Sequence, residues 1–186
     1  TDPNGNPVIE TRNLDGTVTS ITGTGTVAKY FSYGTETDGR QWTQVNLGTS
    51  SSARWQKSWI DCLGRAEKME RPGFTGQSNY VEQHTYDGTT GLRTKTTRSG
   101  YAATLYAYDA LGQLTRSGLD LDASNTLVPA SNDRIVDTDA YFENWSSAWW
   151  LRSDTIGYPT AGSGTPVTLS IARTRLTGLS GGQTES

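Results

Sequence analysis

Cysteine and histidine each occur once in this chain of 186 residues. A single cysteine, Cys62, excludes a disulfide framework within the chain and a cysteine-based zinc site. A single histidine, His84, would have to serve any Ser-His-Asp triad, and no nucleophile-elbow pattern accompanies it. It sits in the alternating run YVEQHTY and reads as a sheet-surface residue. No apolar run reaches the roughly 18 residues a membrane-spanning helix requires, and no secretory leader pattern is visible. Basic runs are also missing and the net charge is −3, so nucleic acid is not an expected partner. The glycine-rich stretches at 22–26 and 161–164 lack the lysine and following helix of a phosphate loop. Aliphatic residues are scarce: the whole hydrophobic set is 33% of the chain, too little for a thick helical core.

Tight-turn and aromatic residues are plentiful. There are 21 glycines, and 6 Trp and 9 Tyr against 3 Phe. This composition suits strands with one wet face joined by short turns. Charged residues are only 19%, which argues against global disorder. The length fits one ordinary domain or two small ones. Thr1 opens directly on turn chemistry, the expectation for a fragment or a processed chain.

The organising stretch is Leu105 to Ser117, LYAYDALGQLTRS. Leu105 to Tyr108 alternate as a half-buried strand, Asp109 to Gly112 supply a turn, and Gln113 to Ser117 return. Aspartate can bond its own backbone two residues on, and glycine accepts the positive φ of such a corner. The same frame recurs at Asp61 to Gly64 and, with one residue inserted, at Asp87 to Gly91. Asp2 to Gly5 and Asp154 to Gly157 repeat the Asp/Gly spacing alone, and Leu14-Asp15-Gly16 and Thr37-Asp38-Gly39 read as further turns. Between them, strands are expected at 8–12, 18–21, 27–33, 41–47, 54–60, 66–71, 80–86, 92–98, 133–142 and 166–176. Trp145 to Leu151 can be read as a short capped helix or as strand, and residues from Ser180 onward as a mobile tail. The aspartates at 61, 87 and 109 are separated by 26 and 22 residues, an internal repeat in the range of stacked arrays. A lone hairpin cannot bury its apolar face, whereas stacked neighbours can.

These residues resemble the YD repeats of the Rhs family. Tyr108-Asp109 with Gly112 fits well, Tyr86-Asp87 with Gly91 fits with its insertion, and Asp61 with Gly64 fits with Ile60 in place of Tyr. The likeness is good from about Trp55 to Asp120 and weak elsewhere. It implies an all-β fold: antiparallel hairpin repeats forming an open curved sheet or part of a β-strand spiral shell. It also implies a bacterial, secreted or cell-surface location, a toxin-carrier or scaffold role, and flanking repeats of the same or another chain as partners. The expected organisation is one continuous array, with divergent hairpins at 1–53, YD-type repeats at 54–120 and a divergent aromatic-rich repeat with its tail at 121–186. TDPNGNP is similar to the element at which larger relatives cut themselves, but here it reads as an ordinary turn.

The candidate ligand-binding residues are aromatic. Tyr141, Trp145, Trp149 and Trp150 crowd together, and sugar rings stack on exposed indole and phenol faces. The same rings could instead fill the buried space of a chain poor in aliphatics. Asp120 with Asp122, and Asp137 with Asp139, are i, i+2 carboxylate pairs; without an Asp-x-Asp-x-Asp-Gly loop they read as solvated carboxylates rather than a metal site. The sequence therefore predicts a structural segment that is not an enzyme and uses no cofactor, with a carbohydrate-binding module as the alternative.

Overall fold

The computed structural model describes residues 5–178 and 181–185. The protein is all-β and antiparallel, with no helix among the described residues. It divides into two units, Thr1–His84 and Thr85–Ser186.

The first unit holds β1 (Val8–Arg12), β2 (Val18–Gly23), β3 (Lys29–Thr35), β4 (Gln41–Leu47), β5 (Trp55–Ile60), β6 (Ala66–Arg71) and β7 (Tyr80–Tyr86, whose last two residues cross the boundary), and each strand after β1 pairs with the one before it. In the second unit β8 (Arg93–Arg98), β9 (Tyr101–Tyr108), β10 (Leu114–Asp120), β11 (Arg134–Trp145), β12 (Ala148–Gly157), β13 (Val167–Gly178) and β14 (Gly181–Glu185) form a meander, neighbours in sequence pairing antiparallel. The segment expected as a tail thus carries a strand paired with β13, while Ser180 and Asp2 lie outside the described residues.

One corner recurs. Asp61 N donates to Arg65 O at 2.9 Å and Gly64 N to Asp61 O at 2.9 Å; Asp109 N donates to Gln113 O and Gly112 N to Asp109 O at 2.9 and 3.1 Å. This is a three-residue hairpin loop closed by a left-handed glycine, which leaves a bulge beside it. The aspartate fits because its Oδ1 accepts two backbone N–H groups: Leu63 and Arg65 on Asp61, Leu111 and Gln113 on Asp109. Bonding to Arg65 and Leu63 holds the Asp61 carboxyl below its ordinary value. Two further corners share the frame with other leading residues. Asn13 N bonds Thr17 O and Glu36 N bonds Arg40 O, both at 2.8 Å, with Gly16 and Gly39 closing. The loops are Leu14-Asp15-Gly16 and Thr37-Asp38-Gly39, as the sequence predicts, and their aspartates, standing inside the loop rather than at its head, hold the N–H of Thr17 and of Arg40.

Asp154 to Gly157 is no corner. Both residues lie inside β12, opposite Asp139 and Val136. Arg152 binds the Asp154 carboxylate through two nitrogens, which removes it from turn-making. Gly157 has the side chain of Leu169 over it, 2.9 Å from where a Cβ would stand. Its glycine therefore serves close packing.

At Gly64, φ is 76° and an added Cβ would meet nothing within 4 Å. Gly64→Val therefore isolates the backbone cost, expected at about 1–2 kcal/mol by urea unfolding, with Gly64→Asn costing less because asparagine tolerates the left-handed region. A valine variant as stable as the parent would show that the corner is not left-handed in solution.

Little apolar side chain is fully buried: among the described residues only Trp59, Leu105, Ile135 and Trp150. The chain of 20.2 kDa exposes 12207 Å². A compact monomer of that mass exposes about 8,800 Å², and two separate compact bodies of half the mass about 10,600 Å² together. Long side chains lying along the sheet cover much of what is covered. In the first unit Trp42 and Trp59 face each other across β4 and β5, and Lys57 Nζ lies 3.9 Å from the Trp42 ring centroid and 4.6 Å from that of Trp59. Stems of lysine and arginine on aromatic faces here do the covering that a second sheet does in a sandwich.

Candidate functional site

The aromatic cluster falls on one hairpin. β11 and β12 pair from Val136↔Gly157 to Trp145↔Ala148, joined through Ser146 and Ser147, both with positive φ (51° and 61°). The alternative of a helix over 145–151 is thereby settled in favour of strand and turn. Ten cross-strand pairs fix which side chains share a face.

Tyr141, Trp145 and Trp150 lie on one face. Trp150 is buried at 4% exposure and donates Nε1–H to Trp145 O at 3.0 Å. The two indoles meet edge to face, 5.5 Å apart at 77°. Trp145, 37% exposed, carries Arg173 at 4.9 Å from its ring. Trp149 pairs with Asn144 and so points to the opposite face, where it is 66% exposed. The four aromatics are therefore divided between two surfaces and do not form one platform.

The face with Tyr141 is a charged network. Arg152 donates Nε to Asp154 Oδ1 at 2.6 Å and a second nitrogen to Oδ2 at 2.8 Å, and reaches Glu143 Oε2 at 3.1 Å. Arg173 binds the other oxygen of Glu143, and Tyr141 OH donates to Asp154 at 3.4 Å. The Arg152 bond holds the Asp154 carboxyl below its ordinary value, and the Arg173 bond does so for Glu143. A neighbouring set repeats the theme: Arg116 grips both oxygens of Asp137 at 2.6 and 2.7 Å, and Tyr158 OH adds a third bond at 2.9 Å. Burial opposes ionisation of Asp137, and these bonds outweigh it, so its carboxyl also sits low. Carboxylates so completely bonded to cations are poor proton donors at neutral pH.

Asp120 and Asp133 are both buried, and their carboxylates lie with that of exposed Asp122 within 4.8 Å of one another. Each oxygen of the buried pair already accepts a backbone N–H. Asp120 takes those of Ser124 and Asn125, and Asp133 those of Leu121 and Val128. The cluster is thus the internal framework of the loop between β10 and β11.

No family model and no curated protein matches this chain.

The repeat residues stand where the hairpins turn: Asp61 and Gly64, Asp87 and Gly91, Asp109 and Gly112. Tyr108 OH donates to Arg93 O at 2.9 Å, tying one hairpin to the next. Tyr86 ends β7 immediately before Asp87. His84 lies on β7 with Nε2 3.6 Å from Glu82 Oε1. Sequence reasoning missed Arg152, Arg173 and Glu143, which hold the aromatic hairpin together. The signal was present in the alternation of charged residues along β11 and β12, but assigning it needs the register.

The first unit adds an open groove of ≈740 Å³ lined by Phe31, Tyr33 and Trp42 together with Asn13, Gln41 and Thr43. Trp42 lies flat over Gly34, its cross-strand partner, where a Cβ would come within 2.4 Å of the ring.

Proposed function

We propose that this chain is a structural segment of a large secreted or surface-exposed YD-repeat protein, a stretch of shell or carrier wall rather than an enzyme. One observation carries the reading: the surface left in water exceeds what even two independent compact bodies would leave. Such a sheet gains stability from neighbours laid against it, which is what a wall made of repeats supplies. The recurrent corners support the same view, because they set hairpin length and register while contributing no reactive group. In the second unit Asp137, Glu143 and Asp154 are committed to arginines, and Asp120 and Asp133 to loop backbone.

The edge tests this. All five residues of β1 are exposed, and among the described residues β1 pairs with β2 alone. Along such a strand alternate N–H groups point outward. Those outward amides are expected to exchange with D₂O as in an open chain, while amides flanking Trp59 are protected by at least a hundredfold more. A monomer whose β1 amides are protected on both edges would overturn the scaffold reading. A glycan-binding module is the second reading, favoured by the aromatic groove of the first unit and exposed Trp149. Saturable binding on a glycan array, lost in Trp149→Ala or Trp42→Ala with the fold intact, would replace the scaffold reading.

A further inference from the structure

The tip of the β11–β12 hairpin carries a sequence that the fold leaves unused. Asn144-Trp145-Ser146 places a serine two residues after an asparagine, with a residue other than proline between, and no other asparagine of the chain has that neighbourhood. This is the acceptor pattern for an asparagine-linked sugar, which needs a surface position in a secreted protein. The pattern is short, and its placement gives it weight.

Asn144 is exposed and stands two residues before the Ser146–Ser147 turn, opposite Trp149. Four other asparagines are tied down: Asn13 to Thr17, Asn46 to Ser52, Asn79 to Glu70 and Asn125 to Lys95. Asn144 has no such side-chain bond among the described residues. The bulky middle residue does not stand in the way. Strand alternation sends Trp145 to the other face, where Trp150 and Arg173 hold its ring. Ser146 is exposed in the turn itself, with φ 51°.

The neighbours of Asn144 suit a sugar. Phe142 lies two residues back on the same strand face and is 71% exposed, and Trp149 lies across the pair at 66%. Unlike Tyr141, Trp145 and Trp150, neither carries a cation on its ring among the described residues. Directly opposed Cβ atoms are about 5 Å apart and those two along a strand about 7 Å, so a pyranose grown from the amide reaches both rings. The C–H faces of a pyranose stack on such rings.

We propose that Asn144 is the acceptor for an N-linked glycan whose first sugar is seated on Phe142 and Trp149. The donor is a sugar whose anomeric carbon is activated on a phosphate, carried by a lipid or by a nucleotide. Nδ2 forms a bond to that carbon, the bond from carbon to the phosphate oxygen breaks with its electron pair leaving on the phosphate, and the amide proton passes to a base of the transferring enzyme. The inference rests on the secreted or surface-exposed reading and goes beyond it, by adding a covalent attachment.

Two arms test it. Secretion of the full chain from a eukaryotic host offers the lipid-linked donor. Incubation of the purified chain with a nucleotide-sugar-dependent asparagine glycosyltransferase and uridine-diphosphate glucose offers the other. Intact mass is expected to show an added glycan in at least one arm, mapped to Asn144 by peptide fragmentation. It should be lost in Asn144→Gln and in Ser146→Ala and kept in Ser146→Thr. Far-UV circular dichroism shows whether each variant is folded; should Asn144→Gln fail to fold, Ser146→Ala provides the same test with the asparagine in place. Hydrogen exchange reads the seating. Amides of 142–149 should exchange about threefold or more slowly in the glycosylated chain than in the bare one, a difference that vanishes in Phe142→Ala with Trp149→Ala. A chain bare in both arms overturns the site, and a glycan at Asn144 that leaves exchange unchanged overturns its seating on the rings. Either failure leaves the scaffold reading standing, because that reading is tested at the edge of β1.

Discussion

Trp59→Ala is expected to cost about 3–5 kcal/mol, the range for emptying a buried indole site. Against the 5–15 kcal/mol that holds a typical domain, this removes a third or more of the stability at mid-range and brings a unit at the low end to the edge of unfolding. Trp59 is 6% exposed in a unit with almost no other buried apolar side chain. Its ring packs under two cations, Lys57 at 4.6 Å and Lys68 at 4.5 Å from the centroid, and faces Trp42 across the strands. Its Nε1 donates to Glu36 Oε1 at 2.9 Å, which ties the β3–β4 corner to β5 and is the main reason the Glu36 carboxyl sits low. Removing the ring therefore strips cover from both lysine stems and frees the corner in one step. Trp59→Phe keeps a ring beneath the lysines and gives up the Glu36 bond, so about 1–2 kcal/mol is expected. Urea unfolding followed by circular dichroism measures both. An alanine variant within 1 kcal/mol of the parent would mean that the lysine–indole stack does not anchor the unit.

Much of this architecture was legible because its signals are local. Asp61, Asp87 and Asp109 with their glycines mark corners that need only three to five residues to form, and the strands between them alternate. Asn13 and Glu36 were missed as corner heads for the complementary reason. The frame is set by backbone bonds and the left-handed glycine, so the first residue can be any that leaves its N–H and C=O free. The turns themselves, at 14–16 and 37–39, were nonetheless placed correctly, because their glycines close the loop wherever the head residue comes from. Asp154 and Gly157 were misread because the spacing is shared by a corner and by a strand whose acid pairs with an arginine. The turn at Ser146 and Ser147 carried no glycine or asparagine to announce two positive φ values, hence the helix alternative. The separation of Trp149 from Trp150 follows from strand alternation alone once strand is chosen. Cross-strand matters stayed out of reach: no local pattern says that Arg152 meets Glu143 or that Arg116 meets Asp137.

Asp133→Ala is expected to release the loop between β10 and β11 at a cost of about 2–4 kcal/mol, since two backbone N–H groups lose their acceptor in a buried setting. Asp133, the last residue of the loop, is 2% exposed and accepts from Leu121 N at 2.9 Å and Val128 N at 3.1 Å, so one side chain ties the loop's end to its first residue and to its middle. The loop also contains Ala123 and Asn125 at positive φ, conformations that persist only while their surroundings hold them. Burial disfavours the charged form of Asp133, yet the bonds from Val128, Ser131 and Leu121 outweigh it and keep the carboxyl below its ordinary value. A group depressed in the folded state contributes stability above its unfolded pKa of about 3.9 and loses it as pH falls through the lower folded value. The parent should thus become more sensitive to urea below about pH 4, and Asp133→Asn should show less of that slope while costing less than alanine. Limited proteolysis reads the local effect: cleavage within 121–132 is expected to rise at least tenfold in Asp133→Ala. It should stay near the parent rate in Asp122→Ala, whose exposed carboxylate holds only Ser124 N. Equal cleavage in the two variants would show that the buried carboxylate is not what shapes the loop, and the acidic cluster would then require another explanation.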